Sequence, residues 1–114
     1  MPRRSANPDQ SRVMIDDILQ IVGRYYNVSR ADFLSPHRAR SVVVPRQIAM
    51  YLAKKIAARS LYEIGRRFGG RDHSTVFHAV RKIEEQIKGG ERLAREVALL
   101  IRLIEQQRAA VLAG

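Results

Sequence analysis

Apolar residues recur along this chain at helical, not alternating, spacing, and they do so in blocks separated by turn signals. After Met14, the residues Ile15, Ile18, Leu19, Val22 and Tyr26 fall three and four apart, with Asp16 and Asp17 early, where carboxylates suit the helix dipole. Ser29 and Asp32 have the Ser-x-x-acid spacing of a capping arrangement before Phe33 and Leu34, which predicts a short helix interrupted by Pro36. Residues 35–44 mix a proline, a histidine, two arginines and a β-branched run. A strand is conceivable there, and the stretch is read as a basic loop.

Pro45 suits the first position of the next helix, which Ile48, Ala49, Leu52, Ala53 and Ile56 carry to about Ala58. Ser60 and Glu63 form a capping box, so a short helix over 61–68 is expected, with Leu61, Ile64 and Phe68 inward, ended by Gly69 and Gly70. Asp72 can cap the following helix, about 73–88, whose inward residues are predicted as Val76, Phe77, Val80, Ile83 and Ile87. Gly89 and Gly90 stop it. A last helix from about Glu91 carries Leu93, Val97, Leu100, Ile101 and Ile104 on one face, which favours packing into the domain's own core over serving a partner. The fold class is therefore all-α, a compact domain of five to six helices. Residues 1–12 are polar, hold Pro2 and Pro8 and show no periodicity, so they read as a flexible tail ahead of a single domain over 13–114.

Composition narrows the function. The 114 residues suffice for one core. With no cysteine there is neither a disulfide framework nor a thiolate zinc site, and no Gly-rich loop followed by Lys and Ser/Thr exists to hold a nucleotide. No apolar run approaches the ~20 residues that span a bilayer, and no signal-peptide pattern opens the chain, so a cytoplasmic protein without cofactor is expected.

The net charge of +10 changes the picture more. From Arg38 to Lys82 eleven Lys and Arg residues face only Glu63 and Asp72, so nine of the ten net charges lie in that segment. A solvated surface normally interleaves both signs, and one-signed charge points to a polyanion. The same segment contains the outline of a helix-turn-helix, 61–68 and 73–88 joined through a Gly-containing turn, an outline that bundles share. The first turn of its second helix offers Asp72, His73, Ser74 and Thr75, polar groups able to approach base edges in a major groove.

Other readings are weaker. A metal-dependent nuclease would need Asp72, His73 and His78 with Glu63 or Glu84, but His73 and His78 are turned about 140° apart on a helix and chelate poorly. His78 is read instead as a structural or half-buried residue beside Phe77. Single-strand binding calls for exposed aromatics, and most of the seven here sit at core spacings. No enzymatic activity is expected.

The strings RARSVVVPRQIAMYLAKK (38–55) and SLYEIGRRFGGRDHSTVFHAVRKIEE (60–85) resemble, nearly position by position, the carboxy-terminal DNA-binding domain, domain IV, of bacterial replication initiators of the DnaA family. The likeness extends more loosely from about Ile15 to Ile104. It implies recognition of double-stranded DNA at a DnaA box, a short asymmetric site of the TTATCCACA type, at an origin or a regulated promoter. It further implies that Asp72, His73, Ser74 and Thr75 contact bases with Gln47, that Arg38 enters an A·T-rich minor groove, and that Arg40, Arg46, Lys54, Arg71 and Lys82 hold phosphates. The protein would be nucleoid-associated.

Departures from the family pattern are Pro36-His37, where another cation or two is common, and Val44, where an arginine often precedes the proline; both imply weaker backbone affinity. Ser74 stands in place of threonine and removes a methyl that could pack on thymine, a fraction of the ~1–3 kcal/mol of a good contact. The ATPase module of an initiator is absent from these 114 residues. The chain is then either one domain of a longer protein or a free-standing homologue able to compete with an initiator for boxes.

Overall fold

A computed structural model describes residues 12–36 and 38–114; His37 and residues 1–11 of the expected tail lie outside the described residues. Among the described residues six helices form: α1 Ile15–Tyr26, α2 Arg30–Leu34, α3 Arg40–Lys55, α4 Leu61–Arg67, α5 His73–Gly89 and α6 Glu91–Ala113. The three caps expected from sequence are made by Ser29, Ser60 and Asp72, which accept the backbone N–H of Asp32, Glu63 and Ser74. Arg12, the last residue of the expected tail, donates to the carbonyls of Ala57 (2.8 Å) and Ala58 (3.4 Å).

α3 is the central element, packed against α1, α5, α2 and α4. Its Ile48, Ala49, Leu52 and Ala53 are buried together with Ile18 and Val22 of α1, Ile64 of α4, Val76 and Ile83 of α5, and Phe33 and Phe68 at the helix ends. Each large apolar side chain buried this way contributes roughly 1.5–3 kcal/mol. α6 lies antiparallel along α1. Its Val97, Leu100 and Ile104 join the same core, Tyr26 donates to Glu96, Gln107 donates to Gln20 (2.9 Å), and Arg108 lies 3.9 Å from Asp17. Its apolar face thus serves the domain's own interior.

The basic loop expected over 35–44 is a correction: α3 begins at Arg40, and Pro45 is its sixth residue instead of its first. The carbonyl of Ala39 accepts from both Val42 and Val43 (2.9 Å each), so the first turn closes before the proline is reached. Pro45 forfeits only the bond to the carbonyl of Ser41, an exposed residue. An interior proline costs about 3 kcal/mol in general. Burial of Val42 and of Pro45 itself offsets that here.

α3 also stops earlier than the apolar spacing suggests. Ala58 takes a left-handed conformation (φ 55°), and the Arg59 N–H reaches back six residues to the carbonyl of Ala53 (3.2 Å), a closure that ordinarily uses glycine. Because Ala58 is exposed and strained only by its Cβ, Ala58→Gly is expected to stabilise the domain by about 0.5–1 kcal/mol and raise the melting midpoint by roughly 2–6 °C. An unchanged or lowered midpoint in thermal melts followed by circular dichroism would contradict the strain.

Candidate nucleic-acid interface

α4 and α5 form the helix-turn-helix, and backbone proximity sets the angle between them. The Arg71 N–H donates to the carbonyl of Gly65 (2.8 Å), and a Cβ on Gly65 would lie 2.2 Å from the carbonyl oxygen of Arg71. Gly69 (φ +83°) faces the other way: a Cβ there would lie 2.2 Å from the carbonyl oxygen of Leu34. The turn is thus wedged between its own first helix and the end of α2. Arg67 adds a tie to α1 through Asp16 (2.8 Å), which also pairs with Arg30; the Arg30 hydrogen bond above all holds the Asp16 carboxyl below its usual range.

The first turn of α5 is presented to solvent: Asp72, His73, Ser74 and Thr75 are all exposed. Asp72 Oδ1 accepts from the backbone N–H (2.9 Å) and the hydroxyl (3.0 Å) of Ser74, and these two bonds keep its carboxyl ionised below the ordinary carboxylate range. The His73 ring nitrogen lies 3.3 Å from the same oxygen. The four residues therefore share one exposed helix end, as the sequence implies.

Beside that end, α3 and α5 flank a cleft of about 350 Å³ lined by Arg46, Gln47, Met50, Thr75, His78 and Lys82, among others. Gln47 Oε1 is buried and accepts no hydrogen bond from the described residues. Arg40, Gln47 and Lys54 succeed one another at seven-residue spacing on α3 and so share a face to within about 40°. Arg38 is exposed just ahead of α3. Among the described residues, Arg38, Arg40, Lys54 and Lys82 are exposed and enter no ion pair, whereas Lys55 pairs with Glu84 (2.8 Å) and Arg81 with Glu85 (3.5 Å).

Two of the expected phosphate ligands sit differently. Arg46 is 6% exposed, its Nε donating to the carbonyl of Phe33 (3.2 Å) and its Nη2 to those of Asp32 (3.1 Å) and Ser35 (2.9 Å). Arg71 donates through Nη1 to the carbonyl of Phe68 and through Nη2 to that of Ser35 (2.6 Å). Burial lowers the pKa of both, and each stays charged.

Sequence reasoning misplaced two α5 residues. Phe77, expected inside, is 43% exposed, with the Arg81 guanidinium 5.8 Å from its ring centre. His78, expected half-buried, is exposed and lines the cleft. On α4, Tyr62 (68% exposed) and Arg66 one turn on are exposed, off the 61-64-68 stripe. No group of three or more metal-binding side chains occurs among the described residues. No described helix is long and apolar enough to cross a membrane.

A sequence model of the bacterial DnaA protein helix-turn-helix matches residues 15–83, more than half of the chain. This chain belongs to that family. The chromosomal replication initiator protein DnaA of Agrobacterium fabrum is 59% identical over 101 residues, covering 89% of this chain and 21% of the relative; that of Xanthobacter autotrophicus is 61% identical over 95 residues, covering 83% and 19%. The chain thus spans about a fifth of these DnaA relatives. Among solved structures, AMPPCP-bound DnaA from Aquifex aeolicus superposes with a TM-score of 0.70 at 36% identity, over 82% of this chain and 29% of the other. A DNA replication initiation factor does so with a TM-score of 0.72 at 35% identity, over 88% and 30%. The DnaA helix-turn-helix is a non-catalytic domain.

Proposed function

We propose that this domain binds double-stranded DNA at DnaA-box sites of the TTATCCACA type, as the recognition unit for a replication origin or a box-controlled promoter. The observation that carries the reading is the exposed first turn of α5, Asp72 to Thr75, framed by the exposed cations Arg38, Arg40, Lys54 and Lys82. That turn enters the major groove. Asp72 Oδ2, left over by the cap, accepts from a cytosine amino group, while His73, Ser74 and Thr75 meet neighbouring base edges. Buried Gln47 Oε1 accepts a donor from the DNA side of the cleft. Arg38 lies in the adjacent A·T-rich minor groove, and Arg40, Lys54 and Lys82 hold phosphates.

The domain works in the cytoplasm at the nucleoid. A domain of this kind acting apart from an ATPase module occupies boxes without ATP-driven assembly and so competes with a full initiator.

Fluorescence anisotropy with a TTATCCACA duplex and a scrambled duplex tests this. The box is expected to bind at least a hundredfold more tightly at moderate salt, and His73→Ala to reduce that ratio about tenfold, as loss of one base contact worth ~1–3 kcal/mol does. Equal affinity for both duplexes would leave only a nonspecific DNA clamp.

A further inference from the structure

Arg46 and Arg71 come from different parts of the domain, one from α3 and one from the turn of the helix-turn-helix, yet both donate to the carbonyl oxygen of Ser35 (2.9 and 2.6 Å). Arg46 also grips the last carbonyls of α2, Asp32 and Phe33, where a helix dipole welcomes a cation. Gly69 presses its Cα side against the carbonyl of Leu34, so the turn meets the end of α2 by packing as well as by hydrogen bonding. Ser35 is three residues before Arg38, a span of at most ~10 Å, and α3 begins two residues after Arg38. Whatever fixes Ser35 therefore limits where Arg38 can reach.

We propose that Arg46 and Arg71 are positioning residues: by clamping the carbonyl of Ser35 they couple the minor-groove reader, Arg38, to the major-groove reader, the first turn of α5. The inference rests on the box-binding reading above. A guanidinium suits the task because its planar fork serves two or three carbonyls at once, which an ammonium does not match. Lysine at either position keeps the charge and loses the clamp.

The test compares wild type, Arg71→Lys, Arg46→Lys, Arg38→Ala and Arg38→Ala/Arg71→Lys on three duplexes: the box, the box with its A·T end replaced by G·C pairs, and a scrambled sequence. Circular dichroism confirms that each variant folds. If Arg46→Lys fails to fold, the more exposed Arg71→Lys carries the test alone. Arg71→Lys is expected to shrink the A·T-end preference at least fivefold, as Arg38→Ala does, with no further loss in the double variant and an unchanged salt dependence. In the free protein, amide hydrogen exchange at Ser35, whose N–H donates to the carbonyl of Asp32, is expected to quicken in Arg71→Lys, a readout that needs no DNA. A direct phosphate role gives the opposite pattern: A·T-end preference kept, affinity lost evenly across duplexes, additivity with Arg38→Ala and no change in exchange. That result would overturn the proposal. A wild type indifferent to the box would instead overturn the reading beneath it, and the coupling with it, whatever the exchange rates.

Discussion

Gly65→Ala is expected to abolish or nearly abolish cooperative folding at 37 °C. The added methyl would sit 2.2 Å from the carbonyl oxygen of Arg71 and 3.2 Å from its carbonyl carbon, and both are backbone atoms held by the 2.8 Å bond from the Arg71 N–H to Gly65 itself. Relief requires the turn to move away from α4, which breaks that bond and lifts Val76 of α5 off the core. Such a change falls in the class of more than about 4 kcal/mol, comparable with the whole ~5–15 kcal/mol stability of a small domain. Gly89→Ala provides the contrast. Nothing lies within 4 Å of a Cβ there, and the residue is helical, so a gain of about 0.5–1 kcal/mol is expected. Melts of the two variants alongside wild type decide the matter; a Gly65→Ala protein melting within a few degrees of wild type would show that the turn is not packed as described.

Raising salt from 50 to 200 mM is expected to weaken DNA binding on the order of fortyfold. Arg40, Lys54 and Lys82 are the proposed phosphate ligands that are exposed and enter no ion pair among the described residues. Three neutralised phosphates give a slope of log affinity against log salt of about −2.7. Alanine at any one of them should lower affinity evenly for box and scrambled duplexes and reduce the slope by about one. A wild-type slope of about −4.5 would mean that Arg46 and Arg71 leave their carbonyls to join the phosphates, against the geometry of the free domain.

The helices were legible in the sequence because their apolar stripes are long and their caps are side chains of fixed type, Ser29, Ser60 and Asp72. The start of α3 was not, because a proline after three β-branched residues mimics a helix beginning, and only burial of Val42 against the rest of the core decides otherwise. Phe77 misled through its type: a phenylalanine one position from Val76 reads as core, yet 100° of helical rotation carries it to the surface. For the interface, the polar first turn of α5 is exposed as expected, since an N-terminal helix turn ahead of the apolar stripe has nowhere else to go. Which cations face outward could not be read. Arg46 and Arg71 are drawn inward by carbonyls eleven and thirty-six residues earlier in the chain, and no local pattern announces a partner at that distance.

The antiparallel pairing of α1 and α6 has a mechanical consequence. Val13 and Leu112 line one small cleft, so the two ends of the described fold leave from the same place. Tension applied through those ends peels α6 from α1 like a zip, opening Asp17 from Arg108, then Gln20 from Gln107, then Tyr26 from Glu96. α6 also packs on α5 and α1 on α3, so the clasp bears that load first but not alone. A pull on both ends is thereby met first at the clasp, ahead of the helices proposed to face DNA.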